Sequence, residues 1–168
     1  MMIRKILPLL LFSFILFSCA NDDDVINTDT IGQTFEISNV DFITTDGFQG
    51  IVNVVVPNNI TVFQSDVPLV FVLDPVATAA NGVDVFEPLP RSFFFNNGGF
   101  AQYRFNFIFD DATGIFDLDL VLESDDFDAL GNDFTQNQIF RIVIVPSEFA
   151  ETHNTDNLNT VLSELNLD

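Results

Sequence analysis

The chain of 168 residues has no tryptophan, one tyrosine, one cysteine, one histidine and five basic residues. Each scarcity excludes something. With Cys19 alone, no intramolecular disulfide can form. With His153 the only histidine, a zinc site of the usual His/Cys kind cannot be built. Five Lys and Arg against 25 Asp and Glu leave no basic cluster for phosphate, which excludes nucleic acid as a partner. An anionic bilayer surface repels the same charge. Walker, G-x-S-x-G and G-x-G-x-x-G motifs are missing. What the chain does not lack is apolar content: at 48% hydrophobic residues it escapes the combination of high charge and low hydrophobicity that keeps chains disordered.

The first residues carry a distinct signal. Met1-Met2-Ile3-Arg4-Lys5 is a short positive start, and Ile6 to Phe17 is almost wholly apolar. Twelve residues make about 18 Å of helix, too short for a bilayer core of about 30 Å, and they fit the apolar part of a secretory signal. Asn21-Asp22-Asp23-Asp24 follows directly and argues against a buried helix. Residues 1–18 are therefore expected to be a signal peptide, 19–31 a flexible acidic tether, and 32–168 a single domain. Both Arg4 and Lys5 fall in the leader, so what remains carries Arg91, Arg104 and Arg141 against all 25 acids, an excess of 22 negative charges.

From Thr34 onward, short apolar segments alternate with turn chemistry, the pattern of an all-β domain. The candidate strands are Thr34–Ile43, Gln49–Val56, Ile60–Phe63, Val67–Asp74, Val83–Glu87, Ser92–Asn96, Phe100–Asp110, Ile115–Ser124 and Gln138–Val145, with Asp74-Pro75 and Asn81-Gly82 among the turn signals. The expected fold is mainly β: an antiparallel β-sandwich, Ig-like or jelly-roll-like, or a barrel. Alternation fixes one register: Phe109 opposite Phe116, Phe107 opposite Leu118 and Phe105 opposite Leu120, with Arg104 opposite Val121 and diagonal to Asp119 and Glu123. The change of parity between Phe35/Ile37 and Val40/Phe42 predicts a bulge or sheet crossing near Ser38-Asn39. Ile139–Val145 is apolar on both faces except at Arg141, as a central strand should be, so Arg141 is expected to be at least half buried and paired with a carboxylate. Leu158, Val161, Leu162 and Leu165 have helical spacing, and Thr155 is a candidate N-cap for one short C-terminal α-helix.

Chemistry-bearing groups are few. His153 with Ser147 offers a base and a nucleophile, but both lie in a polar stretch where a surface histidine is the better reading. The acids give many accidental carboxylate pairs for sugar hydrolysis, mostly on strand surfaces. Asp125, Asp126, Asp128 and Asp133 are dense in oxygen ligands and form the candidate calcium site, with Asp110-Asp111 a second. Read as an EF-hand from Asp126, the loop has Leu130 and Asn137 where ligands belong, so it is not one. The bland reading is an acidic, solubilising loop. Eighteen phenylalanines lie beyond the leader; carbohydrate-binding faces generally present Trp or Tyr, and Phe in alternation reads as core. Phe93-Phe94-Phe95 must point to both faces of its strand, so at least one ring meets a second layer or an exposed patch, and an exposed patch marks a partner site.

Leu16-Phe17-Ser18-Cys19 resembles the lipobox of bacterial lipoproteins. The resemblance implies a diacylglycerol thioether on Cys19, cleavage before it and a third acyl chain on its amine, enough to anchor stably. Asp22-Asp23-Asp24 is similar to the acidic export signals of surface lipoproteins in Bacteroidota, and it is also simply a solvated tether. Ile31-Gly32-Gln33-Thr34-Phe35-Glu36, Phe93 to Gly99 and Phe134 to Phe149 resemble a family of small uncharacterised Bacteroidota (flavobacterial) lipoproteins. That resemblance implies a lipid-anchored outer-membrane domain, on the cell surface or the periplasmic face, and carries over no activity, cofactor or site residue. The expectation is a binding or structural module rather than an enzyme, tied to the membrane through Cys19, with an envelope protein or polysaccharide as partner. The alternative is a calcium-dependent or polysaccharide-binding adhesion domain.

Overall fold

The structure is a computed structural model and describes residues 32–96, 98–110, 112 and 115–167. The expected signal peptide, Cys19 and the tether lie outside the described residues, as does Asp111 of the second calcium candidate.

Among the described residues, eight strands form two four-stranded sheets: β1 (Gln33–Val40), β8 (Gln138–Pro146), β3 (Asp66–Leu73) and β4 (Phe86–Pro88) in that order, and β2 (Gln49–Val54), β7 (Ile115–Ser124), β6 (Phe100–Asp110) and β5 (Arg91–Phe94) in the other. Every pairing is antiparallel. The fold is a β-sandwich, as its strand periodicity predicts. An Ig arrangement keeps the first two strands in one sheet. Here β1, β2 and β3 alternate between sheets, with β8 beside β1 and β7 beside β2, which is the jelly-roll side of the expectation.

Leu118, Leu120 and Leu122 of β7 share a buried cluster between the sheets with Phe140, Ile142 and Ile144 of β8. Burying each such side chain stabilises by roughly 1.5–3 kcal/mol relative to exposure. A second cluster covers the outer face of the first sheet. There Phe71, Val143 and Val145 pack beneath Phe149, Leu158 and Val161 from two C-terminal helices, α3 (Ser147–Thr152) and α4 (Leu158–Glu164). The first sheet is thus sandwiched twice, which is why β8 is apolar on both faces. Its one charge, Arg141, has a side chain 30% exposed and donates from Nη2 to Glu36 Oε2 at 2.7 Å, as a central strand requires.

The β6–β7 hairpin has the predicted register at every named pair, and Arg104 Nη2 reaches Glu123 Oε1 at 2.5 Å. In β1 the register shifts between Ile37 and Val40, with Asn39 at φ 57°, the left-handed conformation that asparagine tolerates.

Three expectations need correction. Ile60–Phe63 is not a strand. Its Thr61 has both backbone groups taken by one side chain: Gln33 Nε2 donates to Thr61 O at 2.6 Å and Thr61 N donates to Gln33 Oε1 at 3.1 Å, leaving nothing for a ladder at that residue. The chain has several short helices rather than one. Besides α3 and α4 there are α1 (Pro75–Asn81), α2 (Asn132–Thr135) and a 3₁₀ turn at Phe127–Ala129. Asp74-Pro75 and Asn81-Gly82 are the two ends of α1: Asp74 caps Val76 N and Ala77 N, Pro75 opens the helix, and Gly82 closes it at φ 71°. Finally, α4 is capped by Asn157, whose Oδ1 accepts from Thr160 N at 3.0 Å, not by Thr155.

Direction along β1 organises the molecule. Gln33 is level with Ile144, and Val40 with Gln138. At about 3.4 Å per residue, the six residues from Ile144 to Gln138 separate these levels by roughly 20 Å. The end where the chain enters at Gln33 is termed proximal, and the opposite end distal.

A candidate binding cleft at the distal end

At the distal end α2 leads directly into β8, and its Phe134 packs against the core cluster between the sheets. Phe134 of α2 stands edge-on against Phe93 (centroids 5.1 Å) and Phe95 (5.6 Å). It is held there because Tyr103, 3% exposed, donates its phenol to Phe134 O at 2.5 Å. Burial, together with the negative charge of Asp133, pushes the Tyr103 phenol well above its ordinary range. At neutral pH it is a protonated donor.

Phe134 separates two cavities. The wider one, about 540 Å³, opens toward the β5–β6 connection and is lined by Phe95, Asn96, Asp125, Asp126 and Leu130 among others. The more enclosed one, about 310 Å³, is walled by Leu73, Pro75, Phe93 and Phe134, with Tyr103 at its floor. It continues into a shallower groove of about 240 Å³ past Asp133 and Gln138. An apolar pocket of this size with a few convergent polar groups is the usual form of a small-ligand site.

One rim of the enclosed cleft is built from both sheets. Arg91 of β5 is ion-paired with Glu87 of β4, lies 4.0 Å from Asp74 Oδ2, and stacks its guanidinium 4.9 Å from the Phe93 ring centroid. Two carboxylates and an aromatic ring therefore surround one guanidinium. Asp133 and Gln138 also line this cleft. Gln138 Nε2 donates to Asp133 O (2.9 Å) and Gln136 O (2.7 Å), which commits both amide hydrogens and leaves its oxygen as an acceptor.

The four calcium candidates do not converge. Asp125 Oδ1 accepts from Phe100 N at 2.9 Å and closes the start of β6, while Asp126 Oδ1 accepts from Ala129 N at 3.2 Å and caps the 3₁₀ turn. Both line the wider cavity; Asp133 lines the enclosed one, and Asp128 is exposed and lines neither cavity. Among the described residues no group of three or more His, Cys, Asp or Glu is placed to hold a metal. Asp110 Oδ1 accepts from Ala112 N and shapes the β6–β7 turn. His153 is exposed, stacks on Phe149 (4.2 Å) and bonds through Nδ1 to Thr152 and Phe149 O rather than to Ser147.

The Phe triplet divides as its alternation requires. Phe93 and Phe95 turn inward to Phe134, while Phe94 is 82% exposed and touches the Phe100 ring (5.7 Å). Phe48, also exposed, lines a shallow hollow with Phe100, beside Asp46. The backbone N–H groups of Phe48 and Gln49 hold the Asp46 carboxyl below its ordinary range.

Sequence reasoning missed the cleft because it joins residues 72–76, 87–93, 103 and 133–138, which no local pattern connects. Its available signals were the helix caps around Pro75–Asn81 and the position of Arg91, one of three arginines among the described residues. No protein-family model, curated protein or solved structure matches the chain.

Proposed function

We propose that the chain is a non-catalytic binding module of the bacterial outer membrane, anchored by lipid on Cys19, that presents its distal cleft to an envelope ligand. The observation that carries this reading is the arrangement of the two ends. The chain enters the sandwich at Gln33, level with Ile144, and the cleft opens roughly 20 Å away beyond Gln138 and Leu73. A tether on the proximal side leaves the cleft facing away from the membrane. The chemistry of the cleft favours binding over turnover. Glu87 is tied to Arg91, Asp74 caps α1, and Tyr103 is a committed donor, so these groups are engaged rather than poised for proton transfer.

The reading is tested by metabolic labelling with a fatty-acid probe. The wild-type chain takes up label and fractionates with outer membrane, whereas Cys19→Ser remains an unlabelled or uncleaved precursor. Equal labelling of the two removes the lipid anchor and with it the proposed orientation of the cleft.

A further inference from the structure

The polar atoms that the enclosed cleft offers a ligand are mainly acceptors. Gln138 has spent both amide hydrogens, Tyr103 donates to Phe134 O, and Asp133 adds an exposed carboxylate at the rim. The single cation, Arg91, faces two carboxylates, Glu87 and Asp74, so an approaching anion meets a net negative rim. Elsewhere in the described residues the same holds, because Arg104 and Arg141 are each paired with a glutamate. The walls are apolar and aromatic, and Arg91 over Phe93 shows that the local environment accommodates an organic cation.

We infer that this cleft binds an organic ammonium group carried on an apolar stem, with the stem between the Leu73–Pro75 wall and Phe134 and the ammonium against Asp133 and Gln138. The inference rests on the reading of the distal cleft as a ligand site. Two sources carry this chemistry: a free amine, or a lysine side chain of a neighbouring protein.

The test is a chemical-shift titration of the isotope-labelled full chain in detergent with an isosteric series, benzylamine, benzyl alcohol and benzoate, and in parallel with acetyl-Gly-Lys-Gly-amide. Benzylamine should perturb Leu73, Val76 and Phe134, bind about ten-fold more tightly than benzyl alcohol, and weaken with added salt. Benzoate should not bind. Asp133→Asn should weaken benzylamine about three- to five-fold, while Asp128→Asn, outside the cleft, leaves it unchanged. Benzylamine bound as tightly as the peptide, or more so, indicates a free amine, and a peptide bound distinctly more tightly indicates a protein side chain; both support the inference. If benzyl alcohol or benzoate binds as well as benzylamine, the inference is overturned while the cleft survives as a ligand site. If Asp128→Asn costs as much as Asp133→Asn, the attraction is diffuse charge and the inference fails. If nothing binds, the inference and the cleft reading fall together, whatever the lipid labelling shows.

Discussion

The chain offers an unusually clean test of its own core. Tyr103 is the only tyrosine, there is no tryptophan, and the single lysine and single cysteine are Lys5 and Cys19. Between about pH 9 and 12, Tyr103 is therefore the only side chain of the sandwich that titrates. Tyr103→Phe removes the donor to Phe134 O and leaves a poorly accessible carbonyl unpaired. A net hydrogen bond plus part of the desolvation penalty comes to about 1–2 kcal/mol at pH 8. The ring itself, packed against Phe42, Phe93 and Phe140, is retained. The folded-state pKa of the phenol is raised, so the native state keeps its proton where the unfolded chain, titrating near 10, has lost it. Stability from this group is then fully present below about pH 10 and lost as pH rises, by at most about 1.4 kcal/mol per unit, until the folded phenol ionises. Denaturant unfolding of wild type and Tyr103→Phe from pH 8 to 11 should show a gap of about 1–2 kcal/mol that closes near pH 11, the wild type declining while the variant stays flat. Tyrosinate absorbance of the native protein should rise only above the range of a free phenol. A wild-type curve flat from pH 9 to 11, or a native phenol titrating near 10, would refute the buried hydrogen bond and the closed floor of the cleft.

Two further outcomes probe the cleft rim and the acidic loop. Asp74→Ala should cost about 1 kcal/mol through loss of the α1 cap, with Asp74→Asn close to wild type in thermal melts; if Asn costs as much as Ala, the ion pair with Arg91 and not the cap holds α1. Low-millimolar calcium, compared with sodium at matched ionic strength, should raise the melting temperature by less than about 2 °C, because Asp125 and Asp126 each spend an oxygen on a backbone N–H and Asp133 does not line the cavity they share; a shift above about 5 °C that disappears in Asp126→Asn with Asp128→Asn would promote the calcium-dependent adhesion reading.

What was legible in the sequence is what period-2 burial dictates. The β6–β7 register could be written out in advance because any slip sends Phe105, Phe107 and Phe109 to the wrong face. The double apolarity of Ile139–Val145 marks a central strand, which β8 is, but does not by itself show that α3 and α4 cover the outer face of its sheet. The parity change located the Asn39 bulge. Where structure and local pattern differ, the partner that decides the outcome lies elsewhere in the chain. Ile60–Phe63 has strand composition, but a side chain 28 residues upstream occupies the backbone of Thr61. Asp74-Pro75 and Asn81-Gly82 were legible as turns individually and as a capped helix only together. Phe134 gives no local sign that it separates two cavities, because its neighbours Phe93, Phe95 and Tyr103 come from β5, the residue just past it and β6, roughly 30 to 40 residues away in sequence.

The three arginines show how charge and fold divide the work. Arg104–Glu123 crosses adjacent strands of one sheet and Arg141–Glu36 adjacent strands of the other, whereas Arg91 joins β5 to Glu87 of β4 across the mouth of the cleft. Partly exposed pairs of this kind contribute about 0–1 kcal/mol each, small beside the two apolar clusters, so they do not hold the sandwich together. Their consequence is electrostatic. Each arginine of the described domain is matched to a carboxylate, and the acids far outnumber these three cations. Such a surface disfavours anions through repulsion and concentrates cations within about a Debye length, 8–10 Å at moderate salt. The field selects the sign of the ligand over the whole molecule. The aromatic, acceptor-rich cleft selects where on it that ligand rests, since its apolar walls give the stem of an organic cation something to bury.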